Sequence, residues 1–296
     1  MSHITARSLI ALLLGFAAAA LRAEMIRNLD YGEAAGQRLL LDAHVPDGPG
    51  PHPVAILVHG GGWSSGDKAG SNHPGDGADI SPWFPLVSGA HFTWFSINYR
   101  LAPKNRWPAA IDDLDTAIRW VKTHAAEYKG DPDRIVLFGH SAGGHMVMVA
   151  ATQTDPTLRV QAVVGFAPVT DLVADSVRRG GLSKSLQWLF GLPPEITPAA
   201  REELAAASPI FHVHPGMPPI LIVQGDADRT VPIQQSIDFI AKLKQTGDSG
   251  ELITRHGAPH SLVQGEKIDT TYKAPLLAWL QRQLGSRDDA PGAKAP

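Results

Sequence analysis

Five short stretches of this chain are mostly apolar: residues 54–58, 92–98, 135–139, 160–166 and 220–224. A strand with one face in water alternates apolar and polar side chains. A strand that is apolar on successive residues is buried on both faces, and this is the habit of parallel sheets. Helical stretches separate the runs. Residues 109–128 carry Ile111, Leu114, Ile118 and Val121 at helical spacing, and residues 142–151, 233–245 and 271–284 also read as helices, the last two bracketing a strand at 251–255. Ahead of this alternation, residues 25–31 and 38–45 are partly alternating runs around Gly32 and Gly36 and predict an antiparallel hairpin. The expected fold class is therefore α/β, a mostly parallel central sheet covered by helices on both faces.

Two segments exceed the minimal alternation. Residues 64–80 form a loop rich in Gly, Asp and Asn directly after a strand, and residues 172–219 are long and proline-containing, with Trp188, Leu189 and Phe190 at their middle. Insertions of this length over the carboxyl ends of strands shape sites, so 172–219 is expected to form a small cap or pocket wall. The folded α/β domain is expected over residues 24–285, with a disordered polar tail at 286–296.

Residues 1–23 have the layout of a secretory signal: Arg7, an apolar stretch at 8–21, and small residues for cleavage after Ala20 or Ala23. That stretch falls short of the roughly 20 residues needed to span a bilayer, so no stable membrane anchor is expected and the mature protein is expected in the periplasm or outside the cell. The formal charge is −3, which gives no basic field for nucleic acid. There are no cysteines, which excludes disulfides, thiolate metal sites and a thiol nucleophile. His212 and His214 lack a third ligand in the sequence, and Asp76 and Asp79 match no cation-loop pattern, so neither a metal nor a cofactor is expected.

Gly139-His140-Ser141-Ala142-Gly143 joins the apolar run 134–138 to the helix at 142–151. A G-x-S-x-G turn between strand and helix holds its serine in a strained backbone conformation with Oγ outward, and the glycines leave room for strand and helix to approach. Acyl transfer by serine further needs a base, an acid that orients it, and donors for the developing oxyanion. His59-Gly60-Gly61-Gly62-Trp63 follows the first apolar run, and Gly61 and Gly62 N–H, with Ala142 N–H, are the candidate donors; His59 is expected to order this loop. The run 220–224 leads into Gly225-Asp226-Ala227-Asp228, where Asp228 is favoured as the acid over Asp226, which sits at the strand end and suits a turn role. His260 follows the last strand on a turn and is favoured as the base over His256. His140 is expected to shape the elbow. Trp63, Trp188 and Phe190 are candidate pocket-lining residues.

These motifs resemble the α/β-hydrolase superfamily, and within it the carboxylesterases with an HGGG oxyanion motif, related to the hormone-sensitive-lipase-like and the feruloyl/acetyl-esterase-like groups. The matching residues are 59–63, Asn98-Tyr-Arg-Leu-Ala-Pro103, Pro108-Ala-Ala-Ile-Asp-Asp113, 139–144, Ala207-Ser-Pro-Ile210, Gly225 with Asp228 and Pro232, and His260. The resemblance implies Ser141, Asp228 and His260 as a catalytic triad, Gly61, Gly62 and Ala142 as the oxyanion hole, and hydrolysis of small-molecule or polysaccharide-linked esters. Lipase-like members carry Asp before the nucleophile; this chain has His140, which is closer to the feruloyl/acetyl-esterase-like group and to kynurenine formamidases. Export favours acetyl or feruloyl esters of plant polysaccharide. The alternative is an amide hydrolase, arylformamidase-like or a small serine peptidase, using the same triad.

Overall fold

Eight strands form one sheet in the order β1-β2-β4-β3-β5-β6-β7-β8 in a computed structural model that describes residues 23–70 and 78–285. Residues 1–22 of the expected export signal at 1–23, residues 71–77 of the long loop with Asp76, and the tail at 286–296 lie outside the described residues. β1 (Glu24–Ala34) and β2 (Gln37–Val45) make the expected hairpin, and β2 runs antiparallel to both its neighbours. β3 (His52–Val58), β4 (Thr93–Ile97), β5 (Gly130–His140), β6 (Ala162–Phe166), β7 (Ile220–Gly225) and β8 (Gly250–Arg255) are all parallel.

Successive residues of the central strands enter two separate cores. Ile56, Leu137, Val163 and Ile222 face α2 (Ala109–His124), α3 (Ala142–Ala151) and α7 (Gln234–Gln245). Leu57, Phe138, Val164 and Leu221 face α1 (Trp83–Gly89) and the helix Lys273–Leu284, where Trp83 and Trp279 are buried. This two-sided burial is why the strands read as continuous apolar runs. Leu137 sits between Ile56 and Val163 with no exposed surface. Leu137→Ala is therefore expected to lower unfolding free energy by about 2–5 kcal/mol, read from the urea midpoint at unchanged slope.

Three elements differ from expectation. The helix from Ala109 ends at His124 and continues as a tighter 3₁₀ turn, Ala125–Tyr128, closed by Lys129 at φ 55°. α1 arises from a segment with a proline inside it, which hid its helical period. The stretch 172–219 contains α4 (Leu172–Arg179), α5 (Lys184–Phe190) and α6 (Pro198–Ala206).

Register brings the loops together. Val58, Gly139 and Gly165 pair across β3, β5 and β6, and Gly225 pairs with Arg255 across β7 and β8. The chain leaves β3 toward β4 on one side and β5 toward β6 on the other, so β3 and β5 flank the point where strand order reverses. Open α/β sheets place their sites in the crevice beyond the carboxyl ends at this point.

Candidate active site

Ser141 stands in that crevice, between β5 and α3, at φ 54° and ψ −115°. A non-glycine residue at positive φ is strained, and the strain persists only where the surroundings over-determine it. Here Ser141 N–H donates to Phe166 O at 2.9 Å, and Ser141 O starts the helix by accepting from His145 N at 2.8 Å. Gly143 is required by close approach: a Cβ there would lie 2.3 Å from Val58 O. The serine hydroxyl is thus pushed outward by the backbone.

His260 lies between Ser141 and Asp228. Its Nε2 is 2.8 Å from Ser141 Oγ and its Nδ1 is 2.7 Å from Asp228 Oδ2. A carboxylate only accepts, so Nδ1 carries the proton in the neutral ring and Nε2 presents its lone pair to the serine. The Asp228 side chain has no exposed surface, and each oxygen accepts two bonds. Oδ1 takes Thr230 N (2.8 Å) and Val231 N (2.9 Å), while Oδ2 takes Gln224 Nε2 (2.9 Å) in addition to His260. Gln224 is itself fixed, donating to Val231 O at 3.0 Å and accepting from Ser236 Oγ at 3.0 Å. The competing residues pair with each other. His256 Nδ1 is 2.9 Å from Asp226 Oδ2 in solvent, and Asp226 also accepts from Gly257 N at 2.7 Å. This hydrogen bonding holds the Asp226 carboxyl below its ordinary range.

The glycine loop lies against the nucleophile: a Cβ on Gly60 would be 3.2 Å from Ser141 Cβ. Gly61 adopts φ 101°, and a side chain there would run into Ser65 O at 2.2 Å. Its carbonyl is held away from the crevice by Ser64 N and Ser65 N, both at 3.1 Å. Among the described residues no acceptor takes Gly61 N–H, Gly62 N–H or Ala142 N–H, so these three donors are unspent. Tyr99 Oη reaches His59 O (3.0 Å) and Gly60 O (3.1 Å) from beneath, and its ring stacks on His59 at 4.4 Å. Burial raises the Tyr99 phenol well above its usual range, so it stays a donor. Its neighbour Arg100 bonds Asp113 through Nε and its backbone N–H (2.9 and 2.7 Å), joining the two motifs at 98–103 and 108–113.

The aromatic candidates lie at different depths. Trp63 is 4% exposed and meets His145 edge-on at 5.1 Å. Phe190 is half-buried against Trp107. Trp188 is 39% exposed, with Lys184 Nζ 5.5 Å from its ring. α5, which carries the last two, starts against the glycine loop, since Ser185 Oγ would be 2.6 Å from a Cβ on Gly62. His145 is buried and faces Ala207 O at 2.8 Å; burial lowers its pKa to about 4, so it donates as a neutral ring. His212 and His214 bond separate backbone carbonyls, of Ala206 and Pro215, and Asp79 accepts from Ser81 N.

Gln224 and Ser236 belong to no motif in the sequence, and Tyr99 enters it only as one position of the motif at 98–103. Gln224 left a trace there, as a polar residue closing an otherwise apolar strand.

The arrangement can take a proton from Ser141, orient the base, and receive negative charge on backbone donors. Comparison with known proteins addresses the family and the fold. The BD-FAE family model matches residues 41–243. The chain is 36% identical over 210 residues to the probable carboxylic ester hydrolase LipM of Mycobacterium tuberculosis, covering 66% of this chain and 46% of that protein. Among solved structures, a truncated carbohydrate esterase from gut microbiota superposes with a TM-score of 0.71 at 27% identity, covering 90% of this chain and 98% of that one. Butyrate-bound esterase Est2 of the planctomycete Thermogutta terrifontis does so with a TM-score of 0.68 at 25% identity, covering 88% and 94%. The chain spans about half the length of the curated relatives it matches. A family match over most of the sheet, on a fold whose crevice holds the strained serine, makes this chain a member of the BD-FAE family of α/β-hydrolases.

Proposed function

We propose that this protein is an exported serine carboxylesterase. The observation that carries the reading is the single hydrogen-bonded row from Ser141 Oγ through His260 to buried Asp228. His260 Nε2 takes the Ser141 proton as Oγ bonds to the ester carbonyl carbon. The carbonyl oxygen gains the negative charge, and Gly61, Gly62 and Ala142 N–H donate to it. The tetrahedral intermediate collapses, the C–O bond to the alcohol breaks, and the proton on Nε2 goes to the departing oxygen. Water then repeats the sequence: it gives a proton to His260, attacks the acyl carbon, and releases the acid and free Ser141. Asp228 keeps the imidazole in the required tautomer and stabilises its cation.

Relatives named as esterases favour esters over amides, and a structural neighbour named as a carbohydrate esterase supports carbohydrate-linked esters, for which acetyl or feruloyl esters of plant polysaccharide are the proposed substrates. Of the three aromatic wall candidates, Trp188 is the most open to solvent, on the helix whose Ser185 abuts Gly62, and a flat exposed indole suits a sugar ring or an aromatic acyl group. The export signal at 1–23 puts such substrates within reach. The test is a panel of p-nitrophenyl esters from acetyl to octanoyl, with acetylated xylan, methyl ferulate and formylkynurenine. We expect turnover of the short esters and release of acetate or ferulate, and no turnover of formylkynurenine. A fluorophosphonate should label Ser141 at one per chain, on periplasmic protein whose mass begins at Leu21 or Glu24. An unlabelled, folded protein without ester turnover contradicts the proposal.

A further inference from the structure

His140 is fully buried at the end of β5, one residue before the nucleophile, and plays no part in the proton transfers above. Its Nε2 is 3.0 Å from the backbone carbonyl of His260, and the two rings are 5.0 Å apart. A carbonyl oxygen can only accept, so the hydrogen must be on His140 Nε2. The neutral ring then leaves Nδ1 as a bare lone pair. That atom is buried, has no hydrogen-bond partner among the described residues, and faces Gly60, where a Cβ would sit 2.9 Å from it. A second proton would have no acceptor there. The ionisable groups that bear on the ring are His260, Asp228 and Arg255. Burial first, and repulsion by His260 second, hold the pKa of His140 down at about 3.

The base has three anchors in this arrangement. Ser141 and Asp228 hold the two ends of its ring, and His140 holds its backbone. The bond to Ser141 is broken and remade during turnover, as Nε2 gains and loses a proton. The bonds to Asp228 and to His140 keep their protons throughout, one at the ring and one at the backbone. The bond to His140 links the loop after β8 to the strand that carries the serine, so that displacement of one moves the other.

We propose that His140 is a positioning residue: its Nε2–H ties the backbone of His260 to the strand bearing Ser141 and keeps base and nucleophile in line through both half-reactions. The proposal rests on the triad reading given under Proposed function. It also gives a physical meaning to the residue type before the nucleophile, because a carboxylate there has no proton to donate to a carbonyl and would repel it.

Two substitutions separate the bond from the bulk. Gln at 140 reaches about as far as the imidazole and presents an N–H₂ donor; Leu fills comparable space and donates nothing. For His140→Leu we expect kcat on p-nitrophenyl acetate to fall about 10- to 100-fold with KM within about twofold, since misplacing a base costs rate and not ground-state binding. His140→Gln should recover most of that loss. Equal activity of the two variants, at either level, overturns the proposal by assigning the residue to space-filling. Should either variant fail to melt cooperatively, the wild-type full chain decides by histidine side-chain ¹H–¹⁵N spectroscopy. We expect a neutral Nε2–H ring at His140 with shifts constant from pH 5 to 8; a ring that titrates there, or one protonated on Nδ1, overturns it. Retention of turnover by Ser141→Ala would instead sink the triad reading, and the tautomer of His140 is measurable whichever way that falls.

Discussion

Ser141→Ala is expected to lower kcat toward p-nitrophenyl acetate by about 10⁵-fold or more while shifting the melting temperature by no more than a few degrees. The size of the effect follows from what is lost and what remains. Oγ is the atom to which the acyl group bonds, and its contact with His260 Nε2 is the side chain's one hydrogen bond among the described residues. Without it, water must attack the ester directly in a site built for a tethered nucleophile. The backbone donors at Gly61, Gly62 and Ala142 survive the substitution, and oxyanion stabilisation with binding alone leaves a residual acceleration of roughly 10³–10⁴ over water. The fold should tolerate the change because the strain at φ 54° is backbone strain, which alanine bears as serine does, and the anchoring bonds to Phe166 O and His145 N use main-chain atoms. A variant that keeps more than about one part in a hundred of the wild-type rate would show that Ser141 is not the nucleophile, whatever its posture.

The parts of the molecule that sequence made legible are those governed by local pattern. The run at 220–224 reads as a buried strand because each residue of Ile220–Gly225 is buried between two layers of helices. The elbow reads from its glycines because Gly143 has no room for a side chain. Asp228 and His260 read from their place after the last two strands. The three helices within 172–219 were also written locally, in their caps. Asp171, Ser183 and Thr197 each accept from a backbone N–H three residues on, Pro198 occupies the first helical position, and Gly180 and Gly191 close two of them at positive φ. Those cap signals were outweighed by the length and proline content of the segment. By contrast, the supports of the site are set by contacts far apart in the chain. Tyr99 lies 39 residues from the carbonyl of Gly60 that it holds, and His140 lies 120 residues from the carbonyl of His260. No local period or cap encodes such a pairing. The partner of a buried tyrosine, or of a histidine beside the nucleophile, is fixed only once the places of β3, β4, β5 and β8 in the sheet are known.

Asp228→Asn is the sharpest test of the acid, because it alters charge and donor pattern while keeping shape, and we expect it to lower kcat by about 10⁴-fold. Asp228 Oδ1 accepts two backbone N–H groups, from Thr230 and Val231, and those donors cannot turn away. The amide oxygen of asparagine must therefore occupy that side, which puts its N–H₂ group where Oδ2 now faces His260 Nδ1 and Gln224 Nε2. Gln224 cannot flip to compensate without turning its oxygen toward Val231 O and giving up its bond from Ser236. An N–H₂ facing His260 Nδ1 needs a lone pair there, so the imidazole carries its proton on Nε2 instead. That tautomer donates toward Ser141 and cannot accept its proton. The stabilisation of the imidazolium by a buried negative charge is lost as well. The loss should ease at high pH, where hydroxide takes over the base's task, so the rate of the variant is expected to keep rising above the pH at which the wild type levels off. Asp226→Asn provides the contrast. Its carboxyl serves exposed His256 and the turn at Gly257, and kcat should stay within about twofold of wild type. If the two aspartates prove equally costly to replace, or if Asp226→Asn is the more damaging, then the buried carboxylate is a structural cap on its own loop and the acid lies elsewhere.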